Sequence, residues 1–338
     1  MKVAKSGRSS GLTCSTIETN PGTFSVGYEK VCGGGTSFTV TYSNQVGVTG
    51  GDFSSGGDSG SLIVTQSSAD AVALLFAGSD TDAVGNPIGE VLSAMADASN
   101  NVPTIVGGAA HVVMGCTLPP AGAIRQAQQA AIVPAAQMQS AAAARDTNAS
   151  QLLGISGVRG VSVGQSLDYI GQPAVILFVA PGTPHNSLPV EVDGVRTRII
   201  ETTDERAVGV LSADEAQQFM PQATATAISS LSAAEFARGK AAHAAHVDEW
   251  MQQPGVQGFG VSSSADSAGE AALIIYLIRG AAHNPIPLTI DGVRTRVRES
   301  SRFRAGRDGA MPQRGCAVNP AKTAAFSRAP SLAPKLAN

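Results

Sequence analysis

Charge is scarce in this chain. Charged residues make up 14% of it, and 23 Lys+Arg stand against 26 Asp+Glu. A near-neutral balance leaves no basic footprint for nucleic acid or for an anionic membrane surface. Aromatic residues are scarcer still, at 4%. No run reaches the roughly 18–20 apolar residues that a membrane span needs. Residues 1–11 hold no apolar stretch of the secretory type. The cysteines, Cys14, Cys32, Cys116 and Cys316, form no C-x-x-C pair, which removes the usual structural zinc framework. Nucleic-acid and membrane partners are therefore not expected, nor a cofactor, nor a metal.

Glycine is what the chain has instead, 38 of 338 residues. The 43% apolar fraction leans on alanine, which buries little surface per residue. Turn-rich β structure and Ala-rich helices follow, spread over two or three domains at roughly 100–200 residues each. Cys14 and Cys32 lie close in sequence on neighbouring predicted strands. They can form a disulfide or sit as two small buried thiols, and the compartment stays open.

Residues 1–95 read as strands and turns. Thr13–Ile17, Ser37–Tyr42, Ser61–Gln66 and Val72–Ala77 are β-branched or apolar runs bounded by Gly, Ser, Asn and Asp. Residues 96–136 read as an Ala/Pro-rich linker. A helix is predicted from about Gln137 to Leu153, with Pro134 near its start.

An internal repeat follows. Val190–Ile199 recurs as Leu288–Val297, each with a central Asp-Gly, and the offset is 292 − 194 = 98. It holds without gaps for Gly157 and Gly255, for Val175–Phe178 and Leu273–Tyr276, for His185-Asn186 and His283-Asn284, and for Leu152-Leu153 and Trp250-Met251. Each copy reads as an α+β unit: a helix covering one face of a small antiparallel sheet that ends in a hairpin. Asp-Gly suits the two-residue type I′ turn of that hairpin. Alternation along the second arm separates Val195, Thr197 and Ile199 from Arg196 and Arg198, which places the arginines on the rim or the open face. Residues 137–205 form the first copy. Residues 206–305 hold a linker helix and the second copy, whose helix opens on a capping-box signal from Ser232 to Glu235. Residues 306–338 read as a disordered tail.

One segment carries chemistry. In Phe53-Ser54-Ser55-Gly56-Gly57-Asp58-Ser59-Gly60-Ser61, a serine stands between glycines, after an acid and before an apolar strand. A tight turn there exposes the Ser59 hydroxyl. Glycine leaves the preceding backbone N–H groups unobstructed, and two such groups can stabilise an oxyanion. The acid can fix the turn by pairing with a backbone or terminal amine. The same four residues taken alone also describe a Gly/Ser surface loop.

Their surroundings resemble the trypsin-like serine endopeptidases of the chymotrypsin fold. Gly57–Val64 looks like the nucleophile loop and its strand, and Leu74–Ser79 like the strand lining the primary specificity pocket. Asn86-Pro87-Ile88 and Glu90-Val91-Leu92 look like the closing segment. Lys5–Thr13 is similar to the start of the second barrel in the narrow-leaf-1-like subgroup and its bacterial relatives. The resemblance covers about residues 3–95. It implies a mixed fold overall: an all-β half of a trypsin-like double barrel followed by the two α+β repeats. It implies a hydrolase acting on a peptide or protein substrate. Ser59 is its nucleophile, the N–H groups of Gly57 and Ser59 its oxyanion hole, and Asp58 the brace of the loop. Phe53 stands at the pocket floor and Gly78 binds the substrate backbone.

The resemblance also marks a gap. The family's catalytic His and Asp belong to a first barrel, upstream of the segment that here begins at Gly7. All five histidines, His111, His185, His243, His246 and His283, follow Ser59, and none matches the family's His motif. The expectation is an N-terminally truncated endopeptidase, inactive alone, unless another polypeptide supplies the first barrel. The other reading is a non-catalytic, protease-like module that binds a peptide or partner, with the duplicated α+β region serving regulation or oligomerisation. Half a double barrel should also expose apolar surface and unpaired edges, unless the repeats or another chain cover them. His243 and His246, three apart on a helix, could hold zinc or form a solvated face. The repeated arginines could meet a phosphate or carboxylate, or lie on an open sheet.

Overall fold

The computed structural model describes residues 1–31, 34–116, 133–220 and 231–305. Cys32, Cys316, residues 117–132 of the expected linker and the expected tail after 305 lie outside the described residues.

Six strands close the first half into a ring: β1 (Lys2–Gly7), β2 (Gly11–Val31), β3 (Gly34–Thr49), β4 (Leu62–Thr65), β5 (Ala71–Gly78) and β6 (Asp82–Pro87). Neighbours pair antiparallel in the order β1-β2-β3-β6-β5-β4 and back to β1. Alternate residues therefore point inward. Val3, Ile17, Val46, Val48, Ile63, Ala73, Leu75 and Ala83 fill the interior, with Phe53 between them. The short helix α1 (Ile88–Ala94) ends this half. After it the chain runs back along the barrel instead of leaving as a free linker. His111 and Val113 donate backbone N–H groups to the carbonyls of Ser68 and Gln66. Cys116 forms a disulfide with Cys14, so the bridge considered between Cys14 and Cys32 is replaced by one spanning 102 residues.

The elements that follow recur 98 residues apart. Helix α2 (Ala135–Leu153) is matched by α4 (Ala233–Met251). Strands β7 (Val158–Gln165), β8 (Pro173–Val179), β9 (Glu191–Val192) and β10 (Val195–Glu201) are matched by β12 (Val256–Ser263), β13 (Ala271–Ile278), β14 (Thr289–Ile290) and β15 (Val293–Ser300). The hairpin Asp-Gly pairs all have positive φ, 46° and 75° at Asp193 and Gly194 and 49° and 73° at Asp291 and Gly292, as a type I′ turn requires. Ser232 caps α4 by accepting from Glu235 N–H at 3.1 Å. The expectation of antiparallel sheets needs correction. In each unit the second arm of the hairpin pairs parallel to the preceding buried strand, β10 with β8 and β15 with β13. The loop from β8 to β9, and from β13 to β14, is long enough to return the chain to the same end of the sheet, which a tight hairpin cannot do. The first unit also extends past residue 205, through β11 (Gly209–Val210) and α3 (Ala213–Gln217).

The arginines are not on an open face either. The two units meet there. Arg196 donates to the carbonyl and hydroxyl oxygens of Thr295 at 2.6 and 2.8 Å, and Arg294 to those of Thr197 at 2.9 and 3.1 Å. The backbone N–H groups of Leu167 and Ala265 each donate at 2.7 Å to the other unit's aspartate, Asp266 and Asp168. Ser166 and Ser264 give the same two carboxylates hydroxyl hydrogen bonds of 2.5 Å. Adding 98 to one partner and subtracting it from the other turns each contact into its twin, the signature of a self-complementary interface. Arg196 and Arg294 are only 4% and 3% exposed.

The second unit differs from the first in what covers its other face. In the first, Ile176 and Phe178 of β8 pack under Ala207, Leu211 and Ala216 of the same unit. Their counterparts Ile274 and Tyr276 pack against Phe24, Val26, Ala77 and Val84 of the barrel. The edge of β7 is taken by β11, and the equivalent edge of β12 by β2, with Phe259 opposite Thr23. Barrel and second unit thus share one ten-stranded sheet. The apolar surface and free edge expected on this side of the barrel are covered by the second unit.

Charge is buried at that junction. Glu18, 3% exposed, holds Arg296 at 2.7 Å and Arg298 at 2.6 Å. Burial pushes the Glu18 carboxyl up, but the two arginines outweigh it and hold it at about 2. Asp82 stands beside it, and burial, opposed by Arg298 and reinforced by Glu18, raises it to about 6. Asp168 is likewise raised to about 6, by burial and by Asp266.

Two outcomes follow. Non-reducing peptide mapping should recover Cys14 linked to Cys116, and recovery of Cys14 linked to Cys32 would contradict this arrangement. Asp82 and Asp168 have folded pKa values above their unfolded value of about 3.9, so the folded chain binds the extra protons. Stability should fall as pH rises from about 4 through about 6. Asp82→Asn should flatten that slope and stabilise the chain at pH 7.5 by about 1–3 kcal/mol. Urea midpoints at pH 5 and 7.5 read both effects; a wild-type midpoint higher at pH 7.5 would contradict them.

Candidate functional site

The loop from Ser54 to Ser61 joins a single 3₁₀ turn, Gly51–Phe53, to β4. It is built around the Asp58 carboxylate, which accepts from five donors. These are the backbone N–H groups of Ser9, Ser10 and Ser55 at 2.8, 3.2 and 3.0 Å, the Ser10 hydroxyl at 2.6 Å and the Lys5 ammonium at 3.0 Å. Both charged side chains of the Lys5–Asp58 pair are fully buried. Burial pushes the carboxyl up, yet the hydrogen bonds from Ser10, Ser55, Ser9 and Lys5 prevail and hold it well below the usual carboxylate range.

The cradle comes from the turn between β1 and β2. Gly7 is needed there because a Cβ would run into the Asp58 carboxyl. On the loop itself Gly57 has φ 103°, and a Cβ would meet Ser9 Oγ at 2.7 Å and Arg8 Nη2 at 2.8 Å. The acidic partner was legible from its position before the serine. Lys5, Ser9 and Ser10 were not singled out, although Lys5–Thr13 was. A lysine two residues before a glycine turn is the signal that an internal amine could serve.

With Asp58 turned inward, Ser59 points outward. It is exposed, and it is flanked by two glycines of positive φ, Gly57 and Gly60 at 103° and 89°. Ser61 N–H donates to the Asp58 carbonyl at 2.9 Å, and Gly60 N–H to Leu75 of β5 at 2.8 Å. The N–H groups of Gly57 and Ser59 donate to no acceptor among the described residues. The site therefore offers a hydroxyl and two backbone donors side by side. It offers no base. His111 faces the Ala109 carbonyl at 3.0 Å, His185 the Ser267 hydroxyl at 3.1 Å, and His283 the adjacent Asn284 carbonyl at 2.7 Å.

His243 and His246 diverge. His243 is buried and stacked on Phe259, with Nε2–H donating to the Phe259 carbonyl at 3.2 Å; burial keeps its pKa low. His246 reaches outward to Asp291 at 2.9 Å, which raises its pKa. The pair shares no ligand position, and among the described residues no cluster of three or more His, Cys, Asp or Glu could hold a metal.

The two expected substrate contacts are placed as follows. Phe53 is 2% exposed and belongs to the barrel core, with the Lys5 ammonium 5.4 Å from its ring centre. Gly78, at the end of β5, has its backbone already paired. Its N–H donates to Arg304 O at 3.1 Å and its carbonyl accepts from Arg304 N–H at 2.9 Å. Among the described residues no helix is long and apolar enough to cross a membrane.

Asp58→Asn strands a buried ammonium and should cost about 3–5 kcal/mol. Lys5→Met leaves four donors on the carboxylate and should cost less. Urea unfolding of both variants at pH 7 ranks them, and a larger cost for Lys5→Met would contradict the five-donor cradle. The native carboxylate contributes stability above its unfolded pKa of about 3.9. That contribution is lost only as pH falls through its much lower folded value.

Comparison with protein-family models, with characterised proteins and with solved structures returns no match to this chain.

Proposed function

We propose that this protein is serine-endopeptidase-like: its Ser59 is set to attack a peptide carbonyl, but among the described residues no base is hydrogen-bonded to it, so the chain alone is inactive or nearly so. The observation that carries this reading is the Asp58 cradle. It turns an acid inward and leaves a serine hydroxyl exposed beside two unengaged N–H groups. Attack by Ser59 Oγ on the carbonyl carbon would form a tetrahedral oxyanion that the Gly57 and Ser59 N–H groups would stabilise; its collapse would break the C–N bond, release the amine with the proton taken from Ser59, and leave the acyl-enzyme. Water would then release the acid. The hydroxyl proton must leave as the Oγ–C bond forms, and no histidine is hydrogen-bonded to Ser59 to receive it. The closed ring of six antiparallel strands supports the resemblance to a second trypsin-like barrel. The 98-residue match between the two later units supports a duplicated α+β region with a regulatory or oligomerisation role. A polypeptide carrying the family's first barrel, with its His and Asp, is the partner that would complete the site.

A second reading is a non-catalytic peptide- or partner-binding module. It is favoured by the missing base and by the strand pairing at Gly78, where an extended backbone is held by main-chain hydrogen bonds alone.

A fluorophosphonate probe tests the first reading. Ser59 should label slowly, at a rate that Ser59→Ala abolishes, because removing a triad member leaves only residual reactivity. Mass spectrometry locates the adduct. Rapid labelling at Ser59 would overturn the claim of inactivity, and labelling unchanged by Ser59→Ala would overturn the assignment of the nucleophile.

A further inference from the structure

The last described residues, Phe303–Ala305, leave the second unit and cross onto the barrel as a lone strand. They fit between two strands that do not pair with each other there. On one side Gly27 of β2 donates to Phe303 O at 2.9 Å and accepts from Ala305 N–H at 3.2 Å. On the other, Gly78 of β5 exchanges both its backbone hydrogen bonds with Arg304. Each glycine thus uses its N–H and its carbonyl on the same three residues, in parallel register at Gly27 and antiparallel at Gly78.

We propose that this gap, a slot that on the reading above takes substrate backbone at Gly78, is blocked by the chain itself, with Phe303–Ala305 as its built-in occupant. The slot reads backbone along its length and one side chain at one end. Phe303 is 1% exposed, with its ring 5.2 Å from Phe24 and 5.6 Å from Tyr276. The Arg304 side chain points into solvent, so nothing in the slot selects it. The ligand class is therefore an extended peptide with an aromatic residue at the Phe303 position, bound by strand addition. Direction matters as well. The strap runs antiparallel to β5, so whatever follows position 304 in this slot is directed back along β5 toward Leu75. The Leu75 carbonyl holds Gly60 N–H, the residue after Ser59, at 2.8 Å. The slot as a substrate edge and Ser59 as its destination rest on the reading proposed above; the occupied gap and its aromatic socket are read from the strand pairing itself.

Occupation by the chain's own residues has a quantitative consequence. A peptide binds only the fraction of molecules whose slot is open, and its apparent affinity falls by that fraction. Arg304→Pro removes the N–H that donates to Gly78 without touching a buried side chain. The probe is a fluorescein-labelled Ser-Arg-Phe-Arg-Ala peptide read by anisotropy on the full chain. Arg304→Pro should bind it at least ~10-fold tighter than wild type, and a probe with Ala for Phe should bind neither. Equal affinity in wild type and Arg304→Pro, or no binding to the folded variant, would overturn the proposal. Phe303→Ala, which vacates the socket, is the second variant and should behave the same way. If both variants unfold, hydrogen exchange on the wild-type chain decides. The Gly27 and Gly78 amides should exchange together and ahead of their strand neighbours, and exchange only with global unfolding would overturn the slot. Ser59→Ala should leave peptide binding unchanged. Failure of the nucleophile reading would therefore appear in the fluorophosphonate experiment and not in this one.

Discussion

A barrel strand that continues past its barrel must find another partner for its backbone, and β2 finds one in β12. Buried N–H and C=O groups left unpaired are too costly to tolerate. The antiparallel contact at Gly258–Gly260 therefore decides where the second unit sits. Glycines at 258 and 260 make the approach possible, since a Cβ at Gly260 would strike the backbone of Gly22 at 2.9 Å. Once that edge is made, the face of β13 carrying Ile274 and Tyr276 has only the barrel to bury against. The first unit solves the same problem internally, with β11 and α3 over Ile176 and Phe178. Two units with matching sequences thus end in different surroundings because only one meets β2.

Buried charge follows from the same docking. Glu18 and Asp82 belong to the barrel, and Arg296 and Arg298 to the last strand of the second unit. Desolvating them costs several kcal/mol per ion before the pairing offsets it. Such a cluster adds little net stability, and it penalises any misaligned register heavily, because a slip of one residue along β15 would leave Glu18 unpaired. The interlock between the units works likewise. Burial, reinforced by Asp266, raises Asp168 to about 6, and each of the two aspartates is tied to the other unit by a serine hydroxyl and a backbone N–H. These are devices of specificity more than of affinity.

How much of this could be read beforehand depends on range. The helices, the Asp-Gly turns and the 98-residue offset are local or repetitive, and they were legible. The parallel pairing of β10 with β8 was not, because alternation along Val195–Ile199 is the same in either direction. The arginines misled for a related reason. Alternation separates Arg196 from Val195 correctly but cannot say what lies beyond that face. A signal did exist: Ser166 and Asp168 recur as Ser264 and Asp266, and a polar pair kept in both copies beside a buried strand points to an interface. Cys116 was beyond reach, since a pairing across 102 residues leaves no mark on local spacing. At the site, the Gly-Asp-Ser-Gly run placed Ser59 outward and Asp58 inward, but the lysine answering that acid comes from a different strand.

The serine is thus better prepared than its chemistry requires. A loop that only needed to turn could leave Asp58 in solvent. Instead a fully buried ammonium and four other donors converge on it, and a charged pair is desolvated to hold four residues in place. Such an arrangement is sensible where the geometry of Ser59 and its neighbouring N–H groups matters to a ligand. The same precision serves either reading. On the endopeptidase reading a base supplied from outside would let the hydroxyl attack; on the binding reading the two N–H groups would anchor a carbonyl or carboxylate oxygen. Either way, an extended backbone that reached this anchor along β5 would have to enter where Arg304 now lies against Gly78.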